Sequence, residues 1–191
     1  MMPGLCASRP LYEAELRDMV DNFISEFSNE YQEILNMSHE FYLKDDRPFR
    51  DADTRRLDSV YQLQDSNSIV VEFKRGILTE TDIIECGYAR GYFQLCQEQI
   101  ANFKLLLFIA EDVSVASRYA DRIKCPKGVA VKCVSYSQLI NIHLHEYLAW
   151  CKVNREPFTT TMQNIIDAKK HVPDNWLSES EIKKAISILV S

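Results

Sequence analysis

Several features that assign a protein to a class on sight are missing from this 191-residue chain. Its six cysteines (Cys6, Cys86, Cys96, Cys125, Cys133, Cys151) include no CxxC pair and no zinc-like spacing. Neither a disulfide framework nor a structural zinc site is expected, and they read as reduced thiols of an intracellular protein. No apolar run approaches the length of a membrane span, and MMPGLCASRP at the N-terminus has no basic segment followed by a long apolar one. The expectation is a soluble, cytoplasmic protein with no membrane partner. Positive charge is also not in surplus: the formal net charge is -6, which offers no general attraction to nucleic acid or to an anionic membrane. Any phosphate binding has to come from a local basic patch. There is no internal repeat and no low-complexity segment.

What is present fits one α/β domain with a sizeable core and an appendage. From Leu11 to about Phe27, Leu16, Val20, Phe23 and Phe27 recur at helical spacing, and Glu13 flanks that apolar stripe. The stretch EFYLKDDRPFRDADT, residues 40 to 54, is charge-rich with a proline and reads as a loop holding at most a short strand. RRLDSVYQLQ alternates with period two, DSNS supplies turn formers, and IVVEFK follows at once. Together they predict a β-hairpin over residues 55 to 74. Residues 79 to 100 predict one helix with a Thr79 cap, in which Gly87 and Gly91 allow close packing on a sheet. FKLLLFIA predicts a buried strand, SVASRYADRI a helix capped by Ser114, GVAVKCVSY a strand and SQLINIHLHEYLAW a helix. Strand, helix and strand in succession imply a right-handed crossover and a mixed sheet with helices on both faces. After Trp150 the chain turns polar, and Ser178 and Glu181 have capping-box spacing ahead of a last helix. The expected division is a domain over residues 1 to 152 and a helical C-terminal annex over 153 to 191.

The hairpin raises the chemical question. Alternation puts Val71 and Phe73 on one face of the strand and Glu72 and Lys74 on the other. The ordinary explanation is a solvated face with a weak cross-strand pair. The hairpin, however, also brings Asp58 within reach of both. Two converging carboxylates repel each other, and a hard cation such as Mg²⁺ removes that repulsion by accepting their oxygens. A neighbouring lysine then stabilises an anionic oxygen or orients an attacking water. Metal-assisted phosphodiester hydrolysis is the chemistry that suits such a set. Arg55, Arg56, Lys74 and Arg75, with Arg47, Arg50 and Arg90 not far in sequence, form a basic cluster that suits a phosphate backbone, although such a cluster usually means solvation alone.

These residues, Asp58 followed after thirteen positions by Glu72-Phe73-Lys74 and then a helix, resemble the signature of the PD-(D/E)XK nuclease superfamily. In detail the stretch is similar to RecB-like nucleases and to the nuclease domains of mismatch- and branched-DNA endonucleases. The resemblance implies a restriction-endonuclease-like mixed central β-sheet flanked by helices. It also implies a metal-dependent DNA nuclease in which Asp58, Glu72 and the main-chain carbonyl of Phe73 bind Mg²⁺ or Mn²⁺. Lys74 would assist the water, and Glu13, a better match than Glu15, would complete the site from the first helix. Arg55, Arg56, Arg75 and Tyr88 are the candidate nucleic-acid contacts. Given the charge balance, a homodimer or a DNA-targeting partner protein is expected, in a cytoplasmic protein associated with the nucleoid when on DNA.

Departures are visible too. Leu57 stands where a proline is common, and the RecB-like glutamine on the following helix is missing, with Tyr88 and Tyr92 at the related spacing. Asp51 and Asp53 are alternatives to Asp58. The alternative function is a catalytically inactive nuclease-like module that binds nucleic acid or a partner. Other candidates read as structure. Glu181 and Lys183 lie two apart on a helix and diverge, as do His143 and His145, while His143 with Glu146 is too small a set for a metal. Cys86, Cys96, Tyr92 and Phe93 read as packing.

Overall fold

In this computed structural model, residues 11–31, 34–45, 54–89, 91–120 and 122–191 are described. The expectations for Arg47, Arg50, Asp51, Asp53, Arg90 and Cys6 lie outside them. The order is α1 (Glu13–Tyr31), β1 (Ile34–Lys44), β2 (Thr54–Leu63), β3 (Ser68–Phe73), α2 (Glu80–Ile84), α3 (Tyr92–Gln99), β4 (Phe103–Ala110), α4 (Ser117–Ala120), β5 (Ala130–Ser135), α5 (Tyr136–Asn154), α6 (Phe158–Lys169) and α7 (Glu179–Val190). The five strands form one mixed sheet in sequence order, antiparallel from β1 to β3 and parallel from β3 to β5. The expected α/β class, a mixed sheet flanked by helices, is therefore the class observed.

Two cores follow from strand alternation. On one face Tyr61, Val71, Phe73, Leu107 and Ile109 meet Leu16, Val20, Phe23 and Phe27 of α1 and Ile140, Leu144 and Tyr147 of α5. Ile165 and Ala168 of α6, Trp176 from the turn before α7, and Ala185 of α7 belong to this same core, and α5 runs unbroken to Asn154. On the other face Val60, Val70, Leu106 and Phe108 meet Ile83, Phe93, Leu95 and Cys96 from α2 and α3. Among the described residues no helix is long and apolar enough to cross a membrane.

Three sequence expectations change. Strand β1 occupies residues 34 to 44, where a loop was expected from residue 40. As an outer strand with most side chains exposed or half-exposed and only Leu43 buried, it carries no apolar alternation to betray it. The helix expected over 79 to 100 breaks into α2, a π-helical turn over 85 to 89, and α3. Gly91 starts α3 with φ at +73°, a left-handed conformation that glycine adopts at little cost. A Cβ on Gly87 would lie 2.5 Å from the Phe93 ring, so this glycine admits the next helix rather than the sheet. The helix expected from Ser114 shrinks to α4, because Asp112 Oδ1 accepts from the Ser114 N–H at 2.8 Å and holds a turn there. Thr79 does cap α2, Ser135 caps α5 and Ser178 caps α7.

Candidate functional site

The site begins where two strands part. β2 and β3 pair from Gln62 and Ser68 down to Ser59 and Val71, whereas β2 stays paired with β1 as far as Thr54. The cause lies in the β1–β2 ribbon, which turns over. His39 and Ser59 face α1, while Phe41 and Leu57, the next pair but one, face the second core. Glu40, between them, sits at φ +48°. Asp58 and Glu72 are the first residues of the two arms beyond the fork.

Across that fork the Phe73 N–H donates to Asp58 Oδ2 at 2.8 Å, so a side chain closes a gap that backbone pairing has left. Burial raises the Asp58 carboxyl above its ordinary value; the Phe73 N–H and the Lys74 charge oppose this, Glu13 adds to it and Arg56 opposes it. Asp58, Lys74, Glu13 and Arg56 thus share one electrostatic neighbourhood. Lys74 is half-buried, its N–H donates to the Ile109 carbonyl at 2.8 Å and its carbonyl accepts from the Tyr136 hydroxyl at 3.2 Å.

Glu13 reaches this place because α1 is pinned to the ribbon. Asp21, 4% exposed, accepts from Ser59 Oγ at 3.1 Å and from the Tyr61 hydroxyl, and its Oδ2 lies 3.0 Å from His39 Nδ1. Eight residues earlier, about 12 Å along the helix, stands Glu13. Glu15 does something else, accepting the Tyr12 N–H at 2.8 Å.

Glu72 is 3% exposed and lies between Val71 and Phe73, both in the first core, so it faces the second. Burial and then the Glu72 charge push the Cys96 thiol of α3 far up. Phe73 meets Asp58 through its N–H. Arg55 Nη2 is 3.3 Å from the buried Asp45 carboxylate, and Arg56 Nη1 is 3.7 Å from Glu40, which Arg17 also approaches at 3.5 Å. Arg75 is exposed. Tyr88 is 44% exposed and donates its hydroxyl to the Lys124 carbonyl. Tyr92 is buried, its hydroxyl donating to the Arg56 carbonyl at 2.8 Å. His143 is buried, and Glu181 and Lys183 turn to different partners, Lys184 and Glu179.

Two further residues belong here. Burial pushes the Tyr136 phenol far up, and the charges of Glu13, Glu111 and Asp58 add to the effect. Its ring stacks between Phe73 and Trp176, with centroids 6.3 and 4.6 Å away. Glu111 is the first polar residue after the buried run FKLLLFIA, at the C-terminal end of a parallel strand, where sites in such sheets collect. That signal was available in the sequence.

Among the described residues no three His, Cys, Asp or Glu side chains close around one point. The described residues therefore contain no tight all-protein set of zinc or calcium type. One or two carboxylates with water completing the shell is the donor set Mg²⁺ takes, and Asp58 with the nearby Glu13 fits it.

No protein-family model matches the chain, and no curated protein matches it. Among solved structures it is similar to a repair endonuclease from Pyrococcus abyssi, with 14% identity, covering 68% of this chain and 50% of that one at a TM-score of 0.38. It is also similar to the small subunit (R.BspD6I2) of the heterodimeric restriction endonuclease R.BspD6I, with 14% identity, 91% and 97% coverage and a TM-score of 0.40. The chain spans half the length of the first of these. Both likenesses concern the fold, and no residue's role follows from either.

Proposed function

We propose that the chain is a divalent-metal-dependent DNA nuclease of restriction-endonuclease-like type. The observation that carries this reading is the fork, where a carboxylate, a lysine and a second carboxylate from α1 gather at the parting of β2 and β3. Asp58 with Glu13 is the proposed anchor for Mg²⁺ or Mn²⁺, the Phe73 carbonyl is a further proposed ligand, and Glu72, buried toward Cys96, is the proposed ligand that has to turn toward the fork to join them. The ion supplies Lewis-acid stabilisation of the scissile phosphate and a more acidic water.

The chain's own residues do the rest. The Phe73 N–H and the Lys74 ammonium oppose the effect of burial on Asp58, favouring its ionised form. Lys74, close enough to act on that carboxylate, stabilises an anionic oxygen in the same place. Arg56 and the exposed Arg75 draw the phosphate backbone toward the fork. Tyr136 buttresses it, its hydroxyl fixing the Lys74 main chain. With a net charge of -6, DNA affinity and target choice come from a second copy or from a DNA-targeting partner, in the cytoplasm and on the nucleoid.

The test is calorimetric titration of Mg²⁺ and Mn²⁺ into the parent, Asp58→Ala and Glu72→Ala, with plasmid and branched-DNA cleavage followed in parallel. Metal binding and cleavage by the parent alone support the reading. A parent that binds no metal overturns it in favour of a non-catalytic nucleic-acid- or partner-binding module.

A further inference from the structure

A concave site of about 390 Å³, separate from the fork, is lined by Tyr88, Tyr119, Arg122, Lys124, Ile84 and Glu80, among others. Its walls come from α2 with the following π turn, and from α4 with the segment after it. Both leave the C-terminal end of the parallel strands, α2 starting six residues after Lys74. The Ile77–Asp112 bridge ties the two connections together.

Its chemistry is unlike the rest of this acidic chain. Arg118, Arg122, Lys124 and Lys127 fall within ten residues. Arg122 and Lys124 are exposed and form no ion pair among the described residues. Tyr88 is held ready: its hydroxyl donates to the Lys124 carbonyl, and its ring meets Phe93 edge-on at 5.0 Å, leaving it 44% exposed. Tyr119 is half-buried on the facing segment, and Glu80 is the acidic group in the lining.

Aromatic faces beside unpaired cations are how proteins hold single-stranded nucleic acid, by stacking bases and tracking phosphates. A duplex keeps its bases stacked inside and offers nothing to such a pocket, whereas an unpaired nucleotide offers a base and a phosphate together. We infer that this groove binds an unpaired nucleotide of a nucleic-acid strand, the base against Tyr88 and Tyr119 and the phosphates on Arg122 and Lys124. The inference rests on the nuclease reading and narrows its substrate to DNA with single-stranded or branched character.

The test is fluorescence anisotropy with a labelled single-stranded DNA oligonucleotide and with its duplex, in chelator so that metal plays no part. The parent is expected to prefer the single strand. Arg122→Ala with Lys124→Ala should weaken single-strand binding about tenfold and lower the dependence of log K on log salt by about 1.4, the release from two phosphates. Tyr119→Ala should weaken it by a similar factor, and duplex binding should not change. Arg122 and Lys124 are exposed, so matched melting curves will show that the double variant folds.

Unchanged single-strand affinity in the variants, equal loss on both DNAs, or equally tight binding of an acidic peptide overturns the inference. If the variants bind as the parent does while the parent cuts DNA with metal, the groove fails and the nuclease reading stands. If the groove behaves as expected and no DNA is cut, the groove stands and hydrolysis falls.

Discussion

Removing the Asp21 carboxylate tests how α1, and with it Glu13, is held at the fork. Asp21→Ala leaves the Tyr61 hydroxyl without its acceptor and takes one partner each from the Ser59 hydroxyl and the His39 imidazole, which lie 3.3 Å from each other. Ser59 and Tyr61 are buried, while the His39 side chain is 45% exposed and turns to water. One stranded buried hydroxyl at ~1 to 3 kcal/mol and a weakened second at about 1 kcal/mol put the loss at roughly 2 to 4 kcal/mol. For a chain of this length that is a drop in melting temperature of about 4 to 16 °C. Tyr61→Phe should cost about 1.5 to 3 kcal/mol, since it removes one bond to a charged acceptor. The double variant should fall short of the sum by about 1 kcal/mol or more, because the two share that bond. Asp21→Asn keeps an acceptor and should cost less than Asp21→Ala; burial raises the Asp21 carboxyl. A folded value above the unfolded one means the native state binds the extra proton, so this group's contribution falls as pH rises through that window. Urea denaturation of the parent and the four variants at pH 7 and pH 5 measures all of this. An Asp21→Ala cost below 1 kcal/mol, or a strictly additive cycle, refutes the idea that this cluster pins α1.

Asp58→Asn should lose metal binding yet melt higher than the parent at pH 7. The buried carboxyl has a raised folded value, so its charge costs stability above that window and the advantage shrinks as pH falls toward 4; melting curves at the two pH values decide it. His143, buried on α5, is held down to about 4, so the unfolded chain takes up its proton first. Its contribution is complete above pH 6.5 and is lost between 6.5 and 4, about 3 kcal/mol in all. Urea titrations of the parent and His143→Gln across that range should show the loss in the parent only. Gly87→Ala should cost about 1 to 3 kcal/mol by forcing the Phe93 ring aside, read from its urea midpoint.

How much of this the sequence disclosed depended on contrast. The DSNS turn and the alternation of RRLDSVYQLQ against IVVEFK made the hairpin legible, and the apolar stripe of α1 and the run FKLLLFIA were equally plain. β1 was not, because an outer strand wet on most of its length shows no period. Nor was the break at Gly91, since a glycine inside a helical pattern signals close packing and a left-handed turn equally well. Of the candidate site, Asp58 and Lys74 were legible from the hairpin and Glu13 only through the family resemblance, and the three share one field. The burial of Glu72 and the part of Tyr136 depend on where β2 leaves β3, and register of that kind is set by the turning over of the β1–β2 ribbon around Glu40, a tertiary event.

The bond from Phe73 to Asp58 has a consequence for dynamics. A carboxylate that closes a gap in a sheet and, in the proposed site, would also hold a metal has two claims on the same oxygens. Anything that draws Asp58 away from the strand releases the Phe73 amide, so occupation of the site and fraying of the sheet at that point are thermodynamically linked. The exchange rate of that single amide proton is then an internal gauge of the site, fast when Asp58 is engaged elsewhere and slow when the fork is closed.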